Sequence, residues 1–241
     1  MLAIPAVAIL LGATTAVTPQ TGCSAGGPGD DRIVCTPYDD VHPGDHGDDL
    51  VLGREGNDAL RGGEGSDRVF GGIGVDVLNG DGGGDVLDGE AGGDSLSGGT
   101  GQDELRGSTG SDSLAGGDGY DNLMGGPHDD QLKAGAGDDG LFGGDDADTL
   151  NGGAGSDVLM GEWGDDLIYG KGGADELYGG DGNDALYPGG GVDVVMAGRG
   201  DDRIDAFAGG RDRIRCGEGQ DVVAADAADR VAPDCERVIR R

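Results

Sequence analysis

The chain has 241 residues, 57 of them Gly, with 4% aromatic residues and a formal net charge of −32. That composition excludes an ordinary globular core, and the acidic balance excludes a nucleic-acid partner, whose phosphates are bound through Lys and Arg. Two readings survive, a disordered acidic chain or a repeat architecture neutralised by bound cations, and periodicity decides between them.

Residues 1–17 (MLAIPAVAILLGATTAV) carry no charged side chain and are short for a bilayer span. Thr14 and Ala16 form a small-x-small site. Residues 1–22 are therefore expected to be a signal peptide and short leader, cleaved near Ala16, which implies a secreted, extracellular protein. The alternative is an apolar anchor that stays attached. No other stretch is apolar enough to cross a membrane, so no span is expected in the mature chain.

From Gly26 the chain divides into 20 consecutive nine-residue units that end at Asp205. The sixth position is Asp in all 20, the eighth is Val, Ile or Leu in 19, and the fourth is Gly in 17. The exceptions are His42 at the eighth position and Tyr38, His128 and Asp146 at the fourth. Low-complexity disorder keeps composition but not phase. One extra residue after Asp205 shifts the frame, two more units follow (207–215 and 216–224), and the segment 225–241 loses the period. Nine of the 16 Lys and Arg lie from Arg199 onward. An atypical, partly basic segment suits a terminal unit that stops further stacking.

The four cysteines, Cys23, Cys35, Cys216 and Cys235, fit an exported protein. Sequence permits three pairings, and the local one, Cys23–Cys35 with Cys216–Cys235, is preferred because it staples the two ends. Zinc is disfavoured, since no CxxC pair is present and the two groups are far apart.

The unit G-G-x-G-x-D-x-U-x, with U aliphatic, resembles the RTX (haemolysin-type) calcium-binding nonapeptide. The segment from Cys216 to the end is similar to secreted calcium-binding proteins of actinobacteria. The RTX resemblance implies an all-β, right-handed parallel β-roll with two units per coil, each unit giving a six-residue turn and a three-residue strand. It also implies Ca²⁺ ions between stacked turns, held by sixth-position carboxylates and turn carbonyls. Partners then stand two units apart along the chain, Asp49 with Asp67 and Asp58 with Asp76. The expected metal ligands are Asp49, Asp58, Asp67, Asp76, Asp85, Asp94, Asp103, Asp112, Asp121, Asp139, Asp157, Asp166, Asp175, Asp184, Asp193 and Asp202. Weaker occupancy is expected around Asp40, Asp130 and Asp148, whose units depart from the pattern. Residues 23–43 are expected to form an N-terminal cap with degenerate repeats, 44–205 the roll, and 206–241 a disulfide-closed C-terminal cap.

Within this frame several catalytic patterns lose their meaning. Gly93-Asp94-Ser95-Leu96 spells a hydrolase signature, but Asp94 and Leu96 are positions six and eight of a unit. Gly22-Cys23-Ser24-Ala25-Gly26 fits a nucleophile elbow with no strand and helix around it. Residues 135–140 (GAGDDG) fit a dinucleotide loop, yet their carboxylates would repel phosphate. His42 and His46 are four apart without an HExxH. The resulting expectation is a non-catalytic calcium-binding protein, since RTX enzymes and toxins carry a separate effector domain. Tyr169, Tyr178 and Tyr187, all at position nine, read as one solvent-side ladder. They point to the alternative, a calcium-stiffened adhesin with a cell-surface or glycan partner.

Overall fold

The structure, a computed structural model, describes residues 22–24 and 26–240. The apolar segment 1–17 and its cleavage site lie outside the described residues. Among those described there are 25 strands and no helix. They form two parallel sheets of 12 and 13, and from Leu50–Glu55 onward they alternate between the sheets, each pairing with the strand two places along the chain. Each residue is in register with the one two units later, as in Val51↔Val69 and Leu60↔Leu78, so two nine-residue units close one coil. This is a parallel β-solenoid.

A typical strand is longer than three residues. Val77–Gly82 and Val86–Ala91 each hold six, positions seven to nine of one unit and one to three of the next. Only positions four to six are left to turn. The ladder runs on through positions one to three, as in Gly63↔Asp81 and Glu64↔Gly82, because these residues stack on the coil below in the same register. At the corner itself the backbone demands glycine. Gly83 has φ +139°, and a methyl group there would lie 1.6 Å from the Gly65 carbonyl oxygen.

Along each strand the eighth residue is buried, and the next inward position, two residues on, is position one. Val51, Leu87, Leu141 and Leu177 stand on one sheet, and Leu60, Leu96, Leu150 and Leu186 on the other, all at 1% exposure or less. Position one is small because a side chain there would run into the Asp Oδ2 of the following turn and the carbonyl of the next coil, as at Gly98 and Gly143. It holds Gly in most units and is filled, fully buried, by Ala134, Ala197, Cys35 and Cys216. His42, the one polar eighth residue, is buried in the core row beside Leu60.

The coil survives the extra residue near 206. Val195 pairs with Ile214 and Ile204 with Val223, so this coil is one residue longer than those before it. Pairing then continues past the end of the repeat, to Ile214↔Val231 and Val223↔Val238. Both expected disulfides are formed, Cys23–Cys35 and Cys216–Cys235. No helix of the described residues is long and apolar enough to cross a membrane.

Candidate metal centre

Each turn delivers its sixth-position Asp into the interior. The aspartates form two rows, one on each side of the roll, running from Asp31 and from Asp40 in steps of one coil. Every expected ligand from Asp49 to Asp202 is at most 4% exposed. One oxygen of each carboxylate, Oδ1, accepts a hydrogen bond from the backbone N–H of the Asp one coil earlier. Asp58 donates its N–H to Asp76, Asp76 to Asp94 and Asp94 to Asp112, at 2.6–2.8 Å. The other row does the same from Asp49 to Asp67 to Asp85 to Asp103, at 2.7–2.8 Å.

The other oxygen, Oδ2, is buried with no hydrogen-bond partner in every one of these residues. A buried carboxylate oxygen without a partner is costly, so an unbroken series of them marks a place built for a cation. The surroundings are rich in oxygen. A methyl group at Gly80 would lie 2.3 Å from Asp85 Oδ2 and 2.6 Å from the Gly98 carbonyl oxygen, so a carboxylate of one coil and a carbonyl of the next converge over the same glycine. Hard, oxygen-only donors of this kind suit Ca²⁺ and do not suit the softer metals that want Cys or His.

Burial also dictates the electrostatics. It pushes Asp58, Asp121, Asp157, Asp166, Asp175 and Asp202 from the ordinary 3.8 up to about 6. Asp85, Asp94, Asp130 and Asp184 rise to about 7, and Asp148 to about 8. In each case the donated backbone N–H pulls the other way, and for most of them neighbouring carboxylates add to the rise. A divalent cation between the turns would restore the ionised form.

The irregular units keep this geometry. Asp130 and Asp148 are buried, accept the N–H of Asp112 and Asp130 at 2.7 and 2.8 Å, and leave Oδ2 unpartnered like the others. Their substituted fourth residues, His128 and Asp146, stack on successive coils, with Nδ1 and Oδ2 3.5 Å apart. Both accept the positive φ that Gly would otherwise supply, 85° and 78°. Asp40 does differ. Its Oδ2 is taken by the N–H and hydroxyl of Thr36, and its Oδ1 is left unpartnered.

The rows extend further than the in-phase repeat. Asp212 and Asp221 are buried, accept the N–H of Asp193 and Asp202 at 2.9 Å, and carry the same unpartnered Oδ2. Asp229 and Glu236 then close the two rows by accepting the N–H of Asp212 and Asp221. The signal for them is short. Asp229-Arg230-Val231 and Glu236-Arg237-Val238 repeat positions six to eight after the rest of the unit has gone.

The tyrosines do not form one ladder. Tyr169 and Tyr187 pair across one sheet with ring centroids 4.9 Å apart, and Lys171 lies over the Tyr169 ring. Tyr178 is one unit from each, so it falls on the opposite sheet, where its hydroxyl donates to Glu176. There it belongs to a row that the sequence reading missed, Met124, Phe142, Met160, Tyr178 and Met196, in register on the outer face. Of the rejected catalytic pairs, His42 lies in the core and His46 is exposed. Cys23 is held in its disulfide.

Eight overlapping stretches of the chain match the family described as the RTX calcium-binding nonapeptide repeat (4 copies): 43–78, 70–105, 88–123, 106–141, 124–159, 142–177, 160–195 and 188–223. No curated protein matches the chain.

Proposed function

Because the chain belongs to the RTX calcium-binding nonapeptide repeat family, we propose that it is a secreted, non-catalytic calcium-binding protein whose roll folds as Ca²⁺ enters between stacked turns. Membership carries calcium binding with it. The observation behind the coupled folding is the two rows of buried aspartates, each with an Oδ2 that no protein group satisfies. Sixth-position aspartates from Asp49 to Asp202 are the ligands in this reading, with Asp212 and Asp221 added at the C-terminal end. Bound calcium supplies positive charge and unfilled coordination positions for oxygen. The protein supplies the carboxylates, held in place by backbone N–H groups, and the turn carbonyls.

The core gives one aliphatic side chain for every nine-residue unit, too thin to hold the coil against rows of buried, mutually repelling carboxylates. Metal binding is then part of the folding free energy. Secretion is supported by the two disulfides, which fit an oxidising compartment, and by the apolar segment 1–17. Residues 23–43 and 206–241 act as the caps of the roll over 44–205. Far-ultraviolet circular dichroism of the full chain tests the coupling. At pH 8 the strand spectrum should develop with calcium and disappear with a chelator; a spectrum indifferent to both at that pH overturns it.

One observation favours a second reading, a surface-binding protein stiffened by calcium. The stacked Tyr169 and Tyr187 with Lys171 make an aromatic platform on the outer face. Binding to a glycan array that Tyr169→Ala and Tyr187→Ala abolish supports this reading, and an array that retains no wild-type protein removes it.

A further inference from the structure

The first coil carries an acidic cluster that the repeat does not require. Asp31 and Asp49 are successive members of one row, and Asp45 joins them from position two of the unit that carries Asp49, in the strand that leads into its turn. Ligand oxygens of the three lie within 4.8 Å of one another. Among the described residues, the only other such group is Cys23, Cys35 and Asp40, whose cysteines are bonded to each other.

Two oxygens of the cluster are buried without a partner, Asp49 Oδ2 and Asp45 Oδ1, and Asp49 as a whole is 3% exposed. The remaining contacts are to backbone. Asp49 Oδ1 accepts the N–H of Asp31, and Asp31 Oδ2 accepts the N–H of Gly27. None of the ion pairs among the described residues involves any of the three.

Position two does not by itself send a carboxylate inward. Asp81 occupies the same position two coils later, with φ +71°, and turns outward to Asn79 and Arg61. Asp45 is not among the residues with positive φ. It lies in the strand Asp45–His46, paired with Gly63 and Glu64, and its Oδ1 is buried.

We propose that Asp31, Asp45 and Asp49 form a three-carboxylate calcium site in the first gap of their row, set apart from the other inter-turn sites by the third carboxylate and tighter than them. An ordinary gap in a row is flanked by two aspartates, each of which also faces the next gap. This gap stands at the end of its row among the described residues, and it has a third carboxylate. Calcium affinity rises with the number of charged ligands, so this site fills first and empties last. It fixes the end strand of its sheet, Arg32–Val34, which is laddered to Leu50–Glu55 and touched on its other side by Ser24.

The inference rests on the calcium-binding reading above, and calorimetric calcium titration of the full chain separates the two. Wild type should show one tightest equivalent ahead of the remaining sites. Asp45→Asn and Asp45→Gly, the second restoring the residue most common at position two, should weaken that equivalent by about tenfold or more and spare the rest. Asp48→Asn, which removes an exposed charge from the same turn, should superimpose on wild type. If both Asp45 variants also superimpose on wild type, the three-carboxylate site is overturned. If wild type itself takes up no calcium, the functional proposal fails instead.

Discussion

The middle of the roll and its C-terminal end use the same contact, a carboxylate accepting the backbone N–H of the coil before it, and place it in opposite surroundings. Asp148, in the middle, is buried, faces Asp130 and Asp166 in its own row, and is pushed up to about 8. Glu236, at the end of the same row, accepts the N–H of Asp221 in the open and is held below its ordinary value by that bond. Around it the carboxylates are matched by arginines, among them Arg230, Arg237 and Arg240, and Arg240 donates to the carbonyls of Asp226 and Asp229. Acidity alone therefore does not make the protein depend on metal. Burial of the carboxylates without counter-charge does, and that condition holds in the middle and not at the end.

The largest consequence concerns protons. Folded carboxyls in the middle keep protons that the unfolded chain gives up above its ordinary 3.8, because burial has raised them to between about 6 and about 8. A group raised in the folded state stabilises it most below the unfolded value, and that stability drains away as pH climbs through the folded values. Calcium-free protein should therefore hold a strand spectrum near pH 5 and lose it by pH 8. With calcium present the order reverses, since protons then compete for the ligands. A metal-free spectrum that is the same at both values would break the comparison.

A single substitution sharpens it further. Asp94→Asn takes one charge from the middle of a row and should cost the calcium-loaded roll about 3 kcal/mol in a urea titration. Glu236→Gln takes one charge from the end of that row and should leave the calcium requirement as it is. Equal effects would mean that position in the row is irrelevant.

The smallest effect separates backbone strain from charge. Glu90 is a non-glycine residue at position two with φ +67°. Glu90→Gly should stabilise the loaded roll by about 1 kcal/mol, from relief of that conformation. Glu90→Gln keeps the strain and loses the charge, and should fall short of it.

The period made most of this legible from sequence. The nine-residue unit with Asp at six and an aliphatic at eight marks the repeating positions, and the resemblance to the RTX nonapeptide implies the coil, the two-unit register and the stacked aspartates. The features that were not legible depend on what lies one coil away. Asp45 and Asp81 share a position and differ in φ, so only the fold tells which turns inward. Tyr178 is separated from Tyr169 and Tyr187 by half a coil, and reading the three as one ladder overlooked that alternate units face opposite ways. Asp229 and Glu236 retain only three positions of the unit, too little for a period to reveal. From sequence, weaker occupancy is expected around Asp130 and Asp148 because of the substituted His128 and Asp146; both of these take up the positive φ, and the two aspartates keep the burial and backbone contact of their row.

The most direct test of the central claim is the calcium stoichiometry of the full chain, measured by titration calorimetry with folding followed in the same samples. The charge of −32 is matched by about 16 divalent ions. The account predicts uptake on the order of ten or more ions per chain, with strand structure gained over the same range. Uptake of one or two ions, or strand structure complete before calcium is added at pH 8, would contradict it.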